Sequence, residues 1–142
     1  MLFRATGVTT DNLLSVEPLT IELEYQLDAD ITGLRVGVYL MTSQGDFILT
    51  SFDTDEAEKF QSLGVRKAGR YVSRCTIPED TLNEGRFVVG INASSYRVKR
   101  YFADERAINF NINPTGAPGM QWMEVRHGPI RPRLDWRIEE VH

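Results

Sequence analysis

The sequence predicts an all-β protein, an antiparallel β-sandwich of about seven to eight strands, on three observations. Apolar and polar residues alternate with a period of two in run after run. Turn-forming Gly, Asn, Asp and Pro separate those runs. Helical patterning is scarce, with no dozen-residue amphipathic stretch anywhere in the chain.

The elements follow in order. Ile21, Leu23, Tyr25 and Leu27 interleave with Glu22, Glu24 and Gln26, a strand with one face on a core and one toward water. Asp28 and Asp30 with Gly33 turn the chain. Leu34, Val36, Val38 and Leu40 then interleave with Arg35, Gly37, Tyr39 and Met41. After a turn at Gln44-Gly45-Asp46, residues 53–63 offer the one helical candidate, a turn or two. Thr54 or Asp55 would cap it, and the acids Asp53, Asp55 and Glu56 suit a helix start. Arg70 to Ile77 and Arg86 to Asn92 read as two strands joined through Pro78 and a turn closing at Gly85, a hairpin-like unit. Ile108, Phe110 and Ile112 mark a late strand. Residues 113–132 carry Pro114, Pro118, Pro129 and Pro132 and predict an extended connection. A final short strand is expected from Arg133 to Glu139.

The 142 residues fit one domain, 1–142. A chain of this size buries roughly 68–70% of its unfolded surface and needs no disulfide or metal to hold a core. The single cysteine, Cys75, excludes an internal disulfide and favours a reducing compartment. A net charge of −4 gives no global basic field for nucleic acid. No apolar run is long enough to span a membrane, and the first residues lack a signal-peptide pattern.

Motifs for chemistry are absent or weak. There is no GxxxxGK[ST] loop and no GxSxG elbow. His127 and His142 have neither cysteine partners nor an HExxH setting, so no metal and no cofactor is expected. The Asp53, Asp55, Glu56 group lacks the EF-hand spacing for calcium. Cys75 falls in the inward register of its strand and reads as an inert thiol. Glu22 and Glu24 lie on one face of one strand, about 7 Å apart. Outward acids at that spacing are ordinary solvated surface more often than a hydrolase pair.

Aromatic side chains remain. Sugar rings stack their apolar faces on exposed Tyr and Trp, while polar side chains take the hydroxyls. Tyr39, Tyr96, Tyr101 and Trp122 fall at outward or loop positions. Tyr39 interrupts a face that should be polar and shares it with Arg35. Glu22, Glu24, Arg74 and Asn92 from neighbouring strands, with Tyr96, complete the candidate carbohydrate-binding set.

Several stretches recur in a familiar order. They are Gln44-Gly45-Asp46, Asp53-Thr54-Asp55, Gly69-Arg70-Tyr71, Ile77-Pro78, Leu82 through Gly85 to Phe87, and Gly128 through Arg131-Pro132 to Leu134 and Trp136. This ordered set resembles the C-terminal carbohydrate-binding domain of Wzt-type ATPase subunits of bacterial polysaccharide ABC transporters. The resemblance spans nearly the whole chain. It implies an Ig-like, jelly-roll-related sandwich that recognises the modified end of an O-antigen-type glycan for export. It also implies a non-enzymatic domain, the C-terminal part of a longer ATPase, working in the cytoplasm at the inner-membrane face beside a transporter permease. A homodimer through the C-terminal strand is implied as well. Family ligand residues vary with the glycan, so the site set above stands on alternation alone. Two other functions compete: a dimerisation domain without a ligand, and a sandwich glycoside hydrolase using Glu22 or Glu24.

Overall fold

The computed structural model describes residues 13–141, and residues 2–7 for the backbone alone. Two sheets face each other. One has three strands in the order β1 (Leu2–Gly7), β3 (Leu19–Leu27), β8 (Gly69–Ile77). The other has five, in the order β2 (Leu13–Leu14), β10 (Lys99–Asn113), β9 (Gly85–Ser95), β5 (Leu34–Thr42), β6 (Phe47–Phe52). A two-stranded ribbon, β4 (Ile31–Thr32) with β7 (Val65–Arg66), closes one end. Pairing is antiparallel except for the parallel contact of Leu13 and Leu14 with Ile112 and Asn113. The all-β sandwich expected from the alternation is the fold observed.

The core is the inward half of that alternation. Ile21, Leu23, Tyr25 and Leu27 of β3 face Leu34, Val36, Val38 and Leu40 of β5 and Phe87, Val89, Ile91 and Ala93 of β9. Phe87 and Phe110 stack across β9 and β10 with centroids 5.7 Å apart. Each fully buried aliphatic side chain here contributes about 1.5–3 kcal/mol.

Three sequence-based expectations need correction. The runs either side of Ile77-Pro78 do not form a hairpin. β8 pairs with β3, whereas β9 pairs with β5 and β10, so the connection crosses between the sheets. Alternation identifies a strand but not its neighbour. The helix, α1 (Ala57–Ser62), has the turn or two expected but starts later, with Glu56 rather than Thr54 or Asp55 at its N-cap and no side-chain capping bond. Asp53 and Asp55 are engaged elsewhere: Asp55 accepts from the Phe52 amide at 3.0 Å, and Asp53 pairs with Arg66. Residues 133–139 join no ladder among the described residues. Leu134, Trp136 and Ile138 are largely exposed.

The proline-rich connection forms no strand, but turns at Thr115-Gly116 and Pro118-Gly119 and a 3₁₀ turn, η1 (Met120–Trp122), interrupt its extended course. Two residues of the quoted motifs pin it. Asn83 Nδ2 donates to the carbonyls of Arg126 (2.7 Å) and Gly128 (2.8 Å). Arg131, itself buried, donates through Nε and Nη2 to the Pro118 carbonyl at 2.9 and 2.7 Å. These motif positions are structural staples that satisfy carbonyls which would otherwise need water.

Candidate functional site

Strand β9 breaks the rule of alternation and thereby marks a candidate site. Its outward residues Val88, Gly90 and Asn92 are as buried as its inward ones. Something must cover that outer face, and β10 does so. The β9–β10 register jumps between Asp104 (opposite Ile91) and Ile108 (opposite Val89), so four steps on β10 match two on β9. The surplus residues bulge over the sheet. Gly90 permits it: a Cβ there would sit 3.2 Å from the Glu105 carbonyl oxygen and 3.3 Å from that of Asp104. The Asp104 carboxylate accepts the Arg106 amide at 3.0 Å and fixes the bulge.

The bulge forms one wall of a groove of about 480 Å³ on the outer face of the five-stranded sheet. Tyr39, Met41, Val88 and Asn92 make the floor. The β5–β6 turn with Phe47 makes the second wall, and Arg100, Asp104, Glu105 and Arg106 make the first. That volume falls within the range of small-ligand sites, and the lining mixes apolar floor with polar rim.

A strip of stacked side chains continues the groove along β5. Tyr39 meets Phe47 and Phe52 edge-on, with centroids 5.9 and 6.4 Å apart. The Arg35 guanidinium lies 4.0 Å over the Phe52 ring and 4.7 Å over Tyr96, and Arg97 lies 5.2 Å over the other partner of that contact, Tyr96. Gly37 makes room, since a Cβ there would overlap the Phe52 ring. Rings and guanidinium planes held this way offer apolar faces with few rotamers left to freeze.

Phe52 is placed by an interior network that the sequence did not reveal. Arg66 of β7 is buried and donates from Nη1 to Tyr25 Oη (2.7 Å) and Asp53 Oδ2 (2.8 Å), and from Nη2 to the Leu34 carbonyl (3.2 Å). Asp53 Oδ1 accepts the Val36 amide at 3.1 Å, and the Asp53 amide donates to the Val36 carbonyl at 2.9 Å. The end of β6 is thus tied to β5, beside Phe52. Burial alone would lower the Arg66 pKa, but the hydrogen bond and charge of Asp53, with Tyr25, outweigh it and raise it.

The seven residues of the candidate carbohydrate-binding set are divided. Arg35, Tyr39, Asn92 and Tyr96 lie together on or beside the groove face. Glu22, Glu24 and Arg74 lie on the outer face of the three-stranded sheet, across the core, because β3 and β8 pair with each other there. Glu22 is joined to Arg74 at 3.1 Å in an exposed ion pair. Phe47, Phe52, Arg100 and the Asp104–Arg106 bulge were not legible as site residues. The lone hint was the Gly90 break in an otherwise apolar strand. Trp122 stands exposed on η1 and does not line the groove.

Among the described residues no cluster of three His, Cys, Asp or Glu is placed to hold a metal ion. Cys75 is half-buried, and burial pushes its thiol pKa up, which disfavours the thiolate. Among the described residues no helix is long and apolar enough to cross a membrane.

The family model of the Wzt C-terminal domain matches residues 1–123. The chain belongs to the Wzt C-terminal domain family. That membership ties it to the O-antigen ABC transporter, whose cytoplasmic ATPase subunit carries this domain, and makes it a non-catalytic domain rather than an enzyme. Among solved structures, the chain is similar to one described as the crystal structure of the C-terminal domain of wzt. The TM-score is 0.69 at 14% identity, over 96% of this chain and 80% of that one. At that identity the likeness speaks for the fold. No curated protein matched.

Proposed function

We propose that the domain binds a polysaccharide of the O-antigen type, without chemistry, in the groove on the outer face of the five-stranded sheet. The observation that carries this reading is the Tyr39 floor between a charged wall and the Phe47 wall, continued by the Phe52–Arg35–Tyr96 stack. Sugar faces would lie on Tyr39 and Phe47, and hydroxyls would bond to Asn92, Asp104 and Glu105. A groove open along its length suits several residues of a chain and gives modest affinity, since hydroxyls must shed water on entry. The domain would hand the finished polymer, selected by its modified end, to the permease of the transporter, working as the C-terminal part of the ATPase at the cytoplasmic face of the inner membrane.

Isothermal titration of the cognate polymer, or short fragments of it, tests the reading. Tyr39→Ala should weaken binding about tenfold, equivalent to about 1.4 kcal/mol, by loss of a stacking face. Glu22→Gln and Glu24→Gln, on the far sheet, should leave binding unchanged. Full affinity in Tyr39→Ala would remove the groove from consideration.

A second reading, assembly, has its own support. Leu134, Trp136 and Ile138 alternate with charged residues and are exposed. We propose that this segment pairs with a second copy to form a homodimer, a role compatible with glycan binding. Light scattering should give a dimer mass for the chain and a monomer mass for Trp136→Glu.

A further inference from the structure

We infer that the Ser94 end of the groove face is a subsite for an anionic substituent of the glycan, a phosphate or carboxylate held between Arg35 and Arg100. This rests on the glycan-binding reading above and names the chemical class of the saccharide. Ser94 is the β-pair partner of Arg35 on β5 and of Arg100 on β10. The three side chains therefore form one cross-strand row on one face, with the two arginine Cα atoms about 10 Å apart. Arg100 lines the groove and Asn92, one step along β9 on the same face, is part of its floor. The row is thus continuous with the place where sugar rings would lie.

The charges of this row are not spent inside the protein. Residues 93–103 contain Arg97, Lys99 and Arg100 and no acid. None of these, nor Arg35, forms an ion pair with a described residue. Two cations flanking a serine repel each other mildly, and an anion between them reverses the sign of that interaction. Arg35 is also held in place. Its guanidinium lies over both the Phe52 and the Tyr96 ring, it makes no hydrogen bond to a described residue, and its Nε is buried without an acceptor. A guanidinium packed against aromatic rings keeps its remaining donors in its own plane, the geometry that favours bidentate phosphate or carboxylate contact. The Ser94 hydroxyl supplies a donor between the two arginines. Asp104 stands opposite Ile91 and Glu105 lies over Gly90, three and four residues along β9 from Ser94, so the row at Ser94 itself carries no acid.

The test compares glucose, glucose 6-phosphate, glucuronate and inorganic phosphate on the intact chain by amide-detected NMR titration. Glucose 6-phosphate, glucuronate or both should bind about tenfold more tightly than glucose, with shifts centred on Ser94 and an advantage that shrinks with salt. Which of the two gains more distinguishes phosphate from carboxylate. Arg35→Gln with Arg100→Gln should erase the advantage. Arg35→Lys provides a second variant that keeps the charge but loses the planar fork, and it should retain less than half of it. Equal affinity for glucose and its acidic forms would overturn the subsite while leaving saccharide binding intact. Saturable phosphate binding with no response to any sugar would overturn it too, together with the glycan reading. Arginine-dependent sedimentation with phosphatidylglycerol vesicles, without an acidic-sugar preference, would assign the row to a lipid surface instead.

Discussion

Replacing Arg66 with methionine should be among the most damaging single changes in this domain, and its cost can be worked from contacts. The side chain is about 1% exposed, its partner Asp53 22%. The substitution removes three hydrogen bonds, to Tyr25, Asp53 and the Leu34 carbonyl, two of them from the same nitrogen. Breaking one side of a buried charge pair costs about 3–5 kcal/mol. Asp53 keeps the Val36 amide and some contact with water, so it is not stranded, and the lower bound of about 3 kcal/mol applies. For a domain of this size that is a fall of roughly 10 °C in Tm. Lysine should not rescue it, because one ammonium cannot reach three acceptors arrayed around a planar fork. Circular-dichroism melts of Arg66→Met, Asp53→Asn and the double variant would measure it. The double variant should be at least 1 kcal/mol less destabilised than the two single effects combined, as coupled partners require. A Tm for Arg66→Met within about 2 °C of the parent would show the network to be dispensable. The same variant should weaken glycan binding beyond its effect on stability, because Asp53 holds the end of β6 that carries Phe52.

Three further outcomes follow from the geometry. Gly90→Val should cost about 1–3 kcal/mol and displace the Asp104–Arg106 wall, since backbone oxygens already lie 3.2–3.3 Å from the missing Cβ, and a urea titration together with binding assays would register both effects. Asn83→Ala should leave the carbonyls of Arg126 and Gly128 without their donor; proteolysis within residues 120–130 should accelerate while the sandwich melts only a few degrees lower. Cys75 should react slowly with maleimide at pH 7–8 and faster only as pH rises beyond the ordinary thiol range. Its raised pKa keeps the thiolate scarce in the folded state, and the unfolded chain should react at an ordinary rate.

The local character of nearly every strand was written in the chain. Period-two alternation in residues 21–27, 34–41 and 87–91 placed the core face correctly, because side chains on a strand have no choice but to alternate. The turn residues also fell where turns occur: Gly33 and Gly45 both adopt positive φ. What could not be read was pairing. The two strands flanking Ile77-Pro78 look like a hairpin, yet each is claimed by a different sheet, and that choice depends on which distant faces bury the most apolar area.

The site divided along the same line. Arg35, Tyr39 and Asn92 could be assigned to an outward face from parity alone, whereas their separation from Glu22, Glu24 and Arg74 could not, since two outer faces on opposite sides of a sandwich have the same pattern. Phe52 and Arg66 were invisible for a different reason. A buried arginine has the same letter as an exposed one, and only the meeting of β7, β3 and the 53-turn gives it Tyr25, Asp53 and the Leu34 carbonyl as partners. The groove wall likewise needs residues 104–107 and Gly90 to be superposed, and no local rule connects positions about fifteen residues apart. Sequence alone determined the strands and the core face of each, because alternation and turn chemistry are local. Tertiary structure decided which outer face became a groove, because strand order and one β-bulge are set by long-range packing.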